Sequence, residues 1–192
     1  MIIGAVLVSL ALFLFLYNQW DADRAEKCSA EVVQKLKEEI EAGETPDEDT
    51  AMVKEMKTVT IDGYEYIGYL SVPALDLELP VMAEWSYPGL KIAPGRFSGS
   101  TYSRDLVIAG HNYARHFSPI KWLDPGTEID FRDVEDHVWK YQIASTETLN
   151  PTQVKEMITK TAEDDWDLTL FTCNTGGQTR CTVRCQLLDI NP

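Results

Sequence analysis

Twenty residues pass before this chain carries its first formal charge. Met1–Trp20 holds no Asp, Glu, Lys or Arg, and Ile2–Tyr17 is almost continuously apolar. As a helix rising about 1.5 Å per residue, such a stretch reaches roughly 30 Å, the thickness of a bilayer's hydrocarbon core. Tyr17 and Trp20 stand near its end, where aromatic rings favour the membrane interface. A cleaved signal peptide needs a charged leading region, a shorter apolar run and a small-x-small cleavage site. Asp21-Ala22-Asp23-Arg24 follows instead, so residues 1–20 read as an uncleaved, single-pass anchor. No Lys or Arg precedes the segment, so the positive-inside rule does not orient it.

The net charge of −14 lies beyond that segment. Residues 21–62 hold 6 basic and 13 acidic groups and residues 63–192 hold 11 and 18, so each part carries −7. A nucleic-acid partner is excluded, because neither part has the basic footprint that displaces counterions from phosphate. Residues 63–192 suffice for one compact domain.

Arg24–Ala42 reads as a helix: Ala25, Cys28, Val32, Leu36 and Ile40 recur at spacings of three and four, and Gly43 ends it. Glu44–Thr50 is acidic and turn-rich, which makes 21–62 a helical stalk and linker. From Tyr64 the pattern changes to short strands, expected over Tyr64–Val72, Leu75–Met82, Leu106–Ala109, Thr127–Phe131, Val138–Thr146, Leu168–Thr172 and Thr179–Leu188. A helix is expected to start at Asn150, with Pro151 in its first turn and Val154, Met157 and Ile158 on one face. Many short strands with few short helices make the domain mostly β, a closed barrel or a sandwich.

Four cysteines occur, at 28, 173, 181 and 185, with no CxxC spacing to suggest zinc. Cys181 and Cys185 sit roughly 13 Å apart on one strand face, too far for a disulfide, and read as core. Cys173 differs, closing the strand Leu168–Thr172 and opening the loop Asn174-Thr175-Gly176-Gly177. A thiol at a strand end becomes a nucleophile when a His or a cation lies nearby, and is otherwise structural. His111 likewise follows a buried run, Leu106–Gly110. His116 and His137 read as ordinary surface or hydrogen-bonded residues. Arg180 is the cation nearest after Cys173 and points away from the presumed core face.

Val107-Ile108-Ala109-Gly110-His111-Asn112, then Leu168-Thr169-Leu170-Phe171-Thr172-Cys173, then Arg180-Cys181-Thr182-Val183-Arg184 resemble the three signature segments of the sortases. Those are cell-surface transpeptidases of Gram-positive bacteria. Ile67–Pro73 followed by Leu75–Val81 resembles that family's first two barrel strands, so the likeness covers about residues 64–190. It implies a closed sortase-like β-barrel and no cofactor or metal. It casts Cys173 as nucleophile, His111 as general acid/base, Arg180 as oxyanion or substrate stabiliser, and Thr172 and Asn112 as substrate contacts. Its implied partners are secreted proteins bearing a C-terminal motif similar to Leu-Pro-x-Thr-Gly and an amine of the cell wall, with the catalytic domain outside the membrane. The Cys173–Arg180 interval is shorter than the family's usual one. Pro46-Asp47-Glu48 does not match the Asp-Pro-Trp/Phe lid of pilin polymerases, and no second apolar segment precedes Pro192. Those departures favour an anchoring sortase over a pilin polymerase. Glu128, Asp130, Asp133, Glu135 and Asp136 look like a calcium-binding cluster but read as a solvated face. A peptidase that only hydrolyses, or a non-catalytic barrel that binds the wall, are the alternatives.

Overall fold

A computed structural model describes residues 2–43, 55–161 and 163–191. The acidic linker Glu44–Thr50, with Pro46-Asp47-Glu48, lies outside the described residues.

The chain opens with one unbroken helix, α1 (Ile2–Ala42, 41 residues). The sequence pattern separates an anchor from a second helix at Arg24, but no Gly or Pro stands between Ala5 and Ala42 to break them. Across the junction Gln19 donates to Asp23, and Arg24 Nη2 donates to Asp21 at 2.9 Å. Both are contacts of the spacing that stabilises a continuous helix. Gly43 ends it, its N–H reaching the carbonyls of Glu39 (3.0 Å) and Ile40 (3.3 Å).

The two halves of α1 meet different surroundings. Residues 3–20 are all exposed. From Asp21 onward one face is buried, with Ala22, Ala25, Ser29, Val32, Val33, Leu36 and Ile40 recurring at steps that keep them on one side. Val32, Val33, Leu36 and Ile40 pack with Ile61, Tyr66, Tyr69, Met82 and Ala93 on the outside of the sheet. The ion pairs Lys35–Asp62 and Lys37–Glu78 flank this seam in solvent, where such pairs add little. Apolar burial therefore holds the helix in place. Leu36 is fully buried, so Leu36→Ala is expected to cost about 2–4 kcal/mol, read as a lower urea midpoint of the full chain.

A polar contact crosses the same seam. His116 is fully buried, with its Nε2 2.9 Å from Ser29 Oγ, while that hydroxyl donates to the Ile92 carbonyl at 2.8 Å. The serine's single proton is thus committed, so Nε2 carries the ring hydrogen and Oγ accepts it. Burial pushes the His116 pKa down to about 4. An unfolded histidine titrates near 6.5, so between those values the unfolded chain takes up a proton that the folded chain refuses. The stabilisation is complete above about pH 6.5 and is lost as pH falls toward 4, by about 3 kcal/mol at the bottom of that window. The urea midpoint is expected to drop between pH 7 and pH 4.5, and His116→Gln is expected to flatten the drop.

Beyond α1 the described residues form nine strands: β1 (Val59–Ile61), β2 (Tyr64–Val72), β3 (Leu77–Met82), β4 (Gly95–Ser98), β5 (Leu106–Gly110), β6 (Glu128–Asp133), β7 (Val138–Leu149), β8 (Leu168–Cys173) and β9 (Arg180–Asn191). They join in the order β1-β2-β3-β4-β5-β8-β9-β7-β6, and a β2–β6 pairing closes the ring. The expected barrel is present. β1 and β4 have no counterpart in the sequence reading, being only three and four residues long. Leu75, expected to begin the next strand, instead ends the 3-10 turn Pro73–Leu75, and β3 starts at Leu77. The helix expected from Asn150 is confined to α2 (Val154–Ile158). Asn150–Gln153 is a turn closed by Gln153 N–H on the Asn150 carbonyl, which the Gln153 side chain reinforces by accepting from the Asn150 backbone N–H and side-chain amide.

The barrel interior is filled by Ile67, Leu70, Leu106, Ile108, Phe131, Leu170 and their neighbours, including Cys181 and Cys185. Burial raises the pKa of both thiols, keeping them protonated core residues as expected. A separate cluster lies on the outer face of β5 and β8, where Val107, Ala109 and Phe171 meet Met157, Trp166 and Phe97.

Candidate active site

The parallel pairing of β5 with β8 positions the site. Its last pair is Gly110 with Thr172, so the next residues are His111 and Cys173. Adjacent strands lie about 4.8 Å apart, and parallel strands deliver both residues to the same rim of the barrel. Across the other edge of β8, Cys173 stands directly opposite Arg180 of antiparallel β9. Three residues scattered along the sequence thus meet at one rim.

Alternation along β8 decides which side each residue takes. Leu168 and Leu170 face the interior, opposite Cys185 and Val183. Thr172 shares that face opposite Cys181 and is 1% exposed, with its hydroxyl unpartnered among the described residues. It packs on the interior side, away from the face that carries Cys173. Thr169, Phe171 and Cys173 face outward. The outer floor beside Cys173 is aromatic, with Phe97 edge-on to Phe171 at 5.1 Å and Trp85 against Phe97 at 5.2 Å. Cys173 itself is half-buried and forms no disulfide among the described residues.

The loop from Cys173 to Arg180 is a closed turn. Gly177 N–H bonds the Asn174 carbonyl (2.8 Å) and Asn174 N–H bonds that of Thr179 (2.9 Å). Gly176 and Gly177 both take positive φ, 83° and 71°, which only glycine adopts cheaply. Their conformation turns the Gly177 carbonyl toward Arg180, whose Nη1 donates to it at 2.9 Å. The guanidinium has five N–H donors in a fixed fork, so this anchor on its own loop leaves others to present at the rim.

His111 opens the loop after β5. Its approach to the barrel requires Gly110, since a β-carbon there would lie 2.3 Å from the Phe117 ring. The His111 ring stacks face to face on Tyr113, with centroids 3.9 Å apart and planes at 5°. Its Nδ1 is buried without a hydrogen-bond partner among the described residues. Burial lowers the His111 pKa, Asp21 pulls it up in part, and Lys91 adds to the lowering. Asn112 Oδ1 accepts from Lys121 Nζ at 2.6 Å, which ties the loop to the 3-10 turn Ser118–Trp122.

A sequence model of the sortase domain matches residues 70–188, well over half of the chain. The chain belongs to the sortase family. It is 24% identical over 180 residues to sortase A of Bacillus anthracis, covering 90% of this chain and 82% of that protein. Among solved structures it resembles a sortase A of Corynebacterium diphtheriae (TM-score 0.57, 21% identity, 67% of this chain and 63% of that one). It also resembles a sortase D5 transpeptidase of Clostridium perfringens (TM-score 0.58, 19% identity, 85% and 97%). At these identities the structural likeness is one of fold, and the class stays open. Sortases are cell-wall transpeptidases that act on sorting-motif substrates and amine nucleophiles, and in Gram-positive bacteria they are membrane-associated. The apolar half of α1 is consistent with a single-pass anchor.

Sequence reasoning gave no role to Arg184, which fastens the connection between β7 and β8 to the outer face of the sheet. The connection from β7 to β8 runs over Asn150–Asp167. Arg184 pins it, donating to the carbonyls of Met157 (2.9 Å) and Glu156 (2.6 Å) and to Thr169 Oγ1 (2.7 Å). It also meets Glu147 at 2.8 Å and lies over the Trp166 ring. Alternation puts Arg184 on the outward face; the signal that it is covered is the length of the connection that must lie somewhere. A cavity of about 930 Å³ beside it, lined by Glu147, Lys155, Trp166, Arg184 and neighbours, contains none of Cys173, His111 and Arg180.

Tyr113 and Asp21 were also missed, since nothing in a linear pattern brings an anchor-proximal acid to a loop some ninety residues later. Of the acidic run, Asp133 and Glu135 come together with His137. The buried Asp133 carboxylate accepts from Trp139 Nε1 and from the backbone N–H groups of Glu135 and His137, each at 3.0 Å. Those bonds close the β6–β7 turn, and His137 is the hydrogen-bonded residue expected of it.

Proposed function

We propose that this sortase cleaves a C-terminal Leu-Pro-x-Thr-Gly-like motif of secreted proteins and transfers the acyl group to an amine of the cell wall. The observation that supports it most is the convergence of Cys173, His111 and Arg180 on one rim of the barrel, beside an outward apolar floor. Three units are read: an anchor over 1–20, a helical stalk and linker over 21–62, and the catalytic barrel over 63–192.

The Cys173 thiol passes its proton to His111 as its sulfur attacks the carbonyl carbon of the motif's threonine, and the carbonyl π pair moves onto oxygen. Arg180 donates hydrogen bonds to that oxyanion or to neighbouring substrate carbonyls, its charge fixed throughout. Collapse of the intermediate breaks the C–N bond, and His111 gives a proton to the departing glycine amine. The incoming amine then attacks the thioester carbonyl and loses its proton to His111, which returns it to the Cys173 sulfur as that leaves. Asn112 lines the approach from the His111 loop. Thr172 enters as support beneath Cys173, given the face it occupies. No cofactor is required by this chemistry. The apolar segment holds the enzyme in the membrane with the barrel outside.

Full-length protein incubated with a motif peptide, with and without added amine, is the test. An acyl adduct on Cys173 by mass spectrometry and a joined peptide–amine product are expected. Cleavage without joining would identify a hydrolase instead, and no adduct would leave a binding barrel. Arg180→Gln removes the charge-assisted donors and is expected to lower kcat/KM about 10²–10³-fold, with thermal stability nearly unchanged.

A further inference from the structure

The second half of α1 does more than cover the barrel: it reaches the loop that carries His111. Five contacts, from successive turns of the helix, land on that loop or on the segment beside it. Asp21 accepts a 2.5 Å hydrogen bond from the Tyr113 hydroxyl. Arg115 pairs with Asp23 and Glu26, at 3.4 and 2.8 Å. Ser29 holds His116. Arg24, itself bound to Asp21, extends to the Lys91 carbonyl at 3.5 Å.

Of these, the contact through Tyr113 leads directly to the reacting group. Asp21 fixes the hydroxyl of the ring on which His111 is stacked. A catalytic imidazole is ordinarily oriented by a hydrogen bond from its second nitrogen to a carboxylate or carbonyl. Here Nδ1 of His111 has no such partner among the described residues, and the Tyr113 face takes over the orienting contact. We propose that Asp21 and Tyr113 are positioning residues for His111, so that the membrane-proximal helix completes the acid/base apparatus of the enzyme.

The electrostatics agree in direction. The Tyr113 hydroxyl bond, its largest influence, holds the Asp21 carboxyl below the usual range, so Asp21 is ionised wherever the enzyme works. Tyr113 is pushed up to about 12 by burial and by Asp21, and remains a donor. A phenol donating to a carboxylate becomes more electron-rich, and an electron-rich ring face favours a cation stacked on it. Asp21 and the ring therefore both favour the protonated imidazole against its burial. The other charged or titratable groups around His111 are Lys91 beside α1, His116 on its own loop, and Cys173 and Arg180 across the rim. Lys121 is held on Asn112. Among the described residues, the carboxylate that acts on His111 is Asp21, from the helix.

This inference rests on the reading of His111 as the acid/base, and its test separates the two. The full-length chain in detergent micelles, with ¹³C-labelled histidine, gives the His111 titration directly, assigned by its loss in His111→Gln. Asp21→Asn is expected to lower that pKa by about half to one unit, and to move the corresponding limb of the pH–rate profile down by the same amount. kcat should fall about tenfold while KM changes less than about twofold, since Asp21 does not touch substrate. Asp21→Glu, which keeps the charge, should restore most of both. Tyr113→Phe, which keeps the ring and loses the bond, should shift the titration in the same direction by less. Lys35→Gln breaks a helix contact remote from Asp21 and Tyr113, and should leave the His111 titration where it is. An unchanged His111 titration and pH profile in both Asp21→Asn and Tyr113→Phe overturns the proposal. If Asp21→Asn loosens the helix, seen as faster amide exchange around Leu36, the Tyr113→Phe titration alone decides. A wild-type chain that forms no Cys173 adduct removes the reading beneath it, and the proposal with it.

Discussion

Cys173→Ala is expected to abolish both the acyl adduct and the joined product, a loss of at least about 10³-fold that leaves only background hydrolysis. The substitution removes the one atom that can hold the acyl group between the two half-reactions. It should do so without unfolding the protein. Cys173 is half-buried at the end of β8, while the strand's packing is carried by Leu168 and Leu170 on the opposite face. The expected change in stability is within about 0.5 kcal/mol. The remaining thiols do not substitute: Cys181 and Cys185 are buried in the barrel, their pKa values raised, and Cys28 stands on α1 and not at the end of β8. Mass spectrometry of the variant beside the wild type, with thermal unfolding of both, checks the two halves of the expectation.

His111→Gln is expected to lower kcat/KM for an amide-bonded motif peptide by about 10²–10⁴-fold. An amide leaves as a strongly basic amine and needs its proton early. Replacing the scissile amide by an ester gives a leaving group that needs far less assistance. The loss should therefore shrink to about tenfold or less for the ester if His111 acts as the general acid. Rates for the amide and ester peptides, measured on wild type and variant, give the comparison. Equal losses on the two substrates would instead assign His111 a purely structural role at the rim. The limb of the pH profile governed by His111 should also flatten in the variant.

Much of this site is written locally in the chain. The apolar run Leu106–Gly110 ends on His111, and Leu168–Thr172 ends on Cys173, so each reactive residue is visible where a buried strand stops. What local pattern lacks is the parallel pairing that brings those two ends together, because β6 and β7 intervene in sequence. Here the likeness to the sortase segments supplied what periodicity did not. The direction of Thr172 shows the reverse case: simple alternation from the buried Leu170 already turns it inward. Strands β1 and β4 escaped because three or four residues are too few to show a period. The helix expected from Asn150 shrank to one turn in a segment whose Glu156 and Met157 carbonyls are taken by Arg184, a tertiary partner absent from its own sequence. Hydrogen bonds between residues as distant as Asp21 and Tyr113 leave no mark in either neighbourhood.

The absence of any joint in α1 sets the geometry in which the enzyme can work. With its apolar half in a bilayer as proposed, Asp21 follows Trp20 directly, so the clamp on Tyr113 sits at headgroup level and the catalytic rim cannot swivel or bob on a tether. A rigid arm converts the search for substrate from three dimensions to two. Cleavable bonds are those that glide past at the same elevation, as a motif does when it is itself held next to the membrane. One residue inserted between Trp20 and Asp21 would raise the rim by only about 1.5 Å but turn it by about 100° around the helix axis. Azimuth, more than distance, is what such an arm controls.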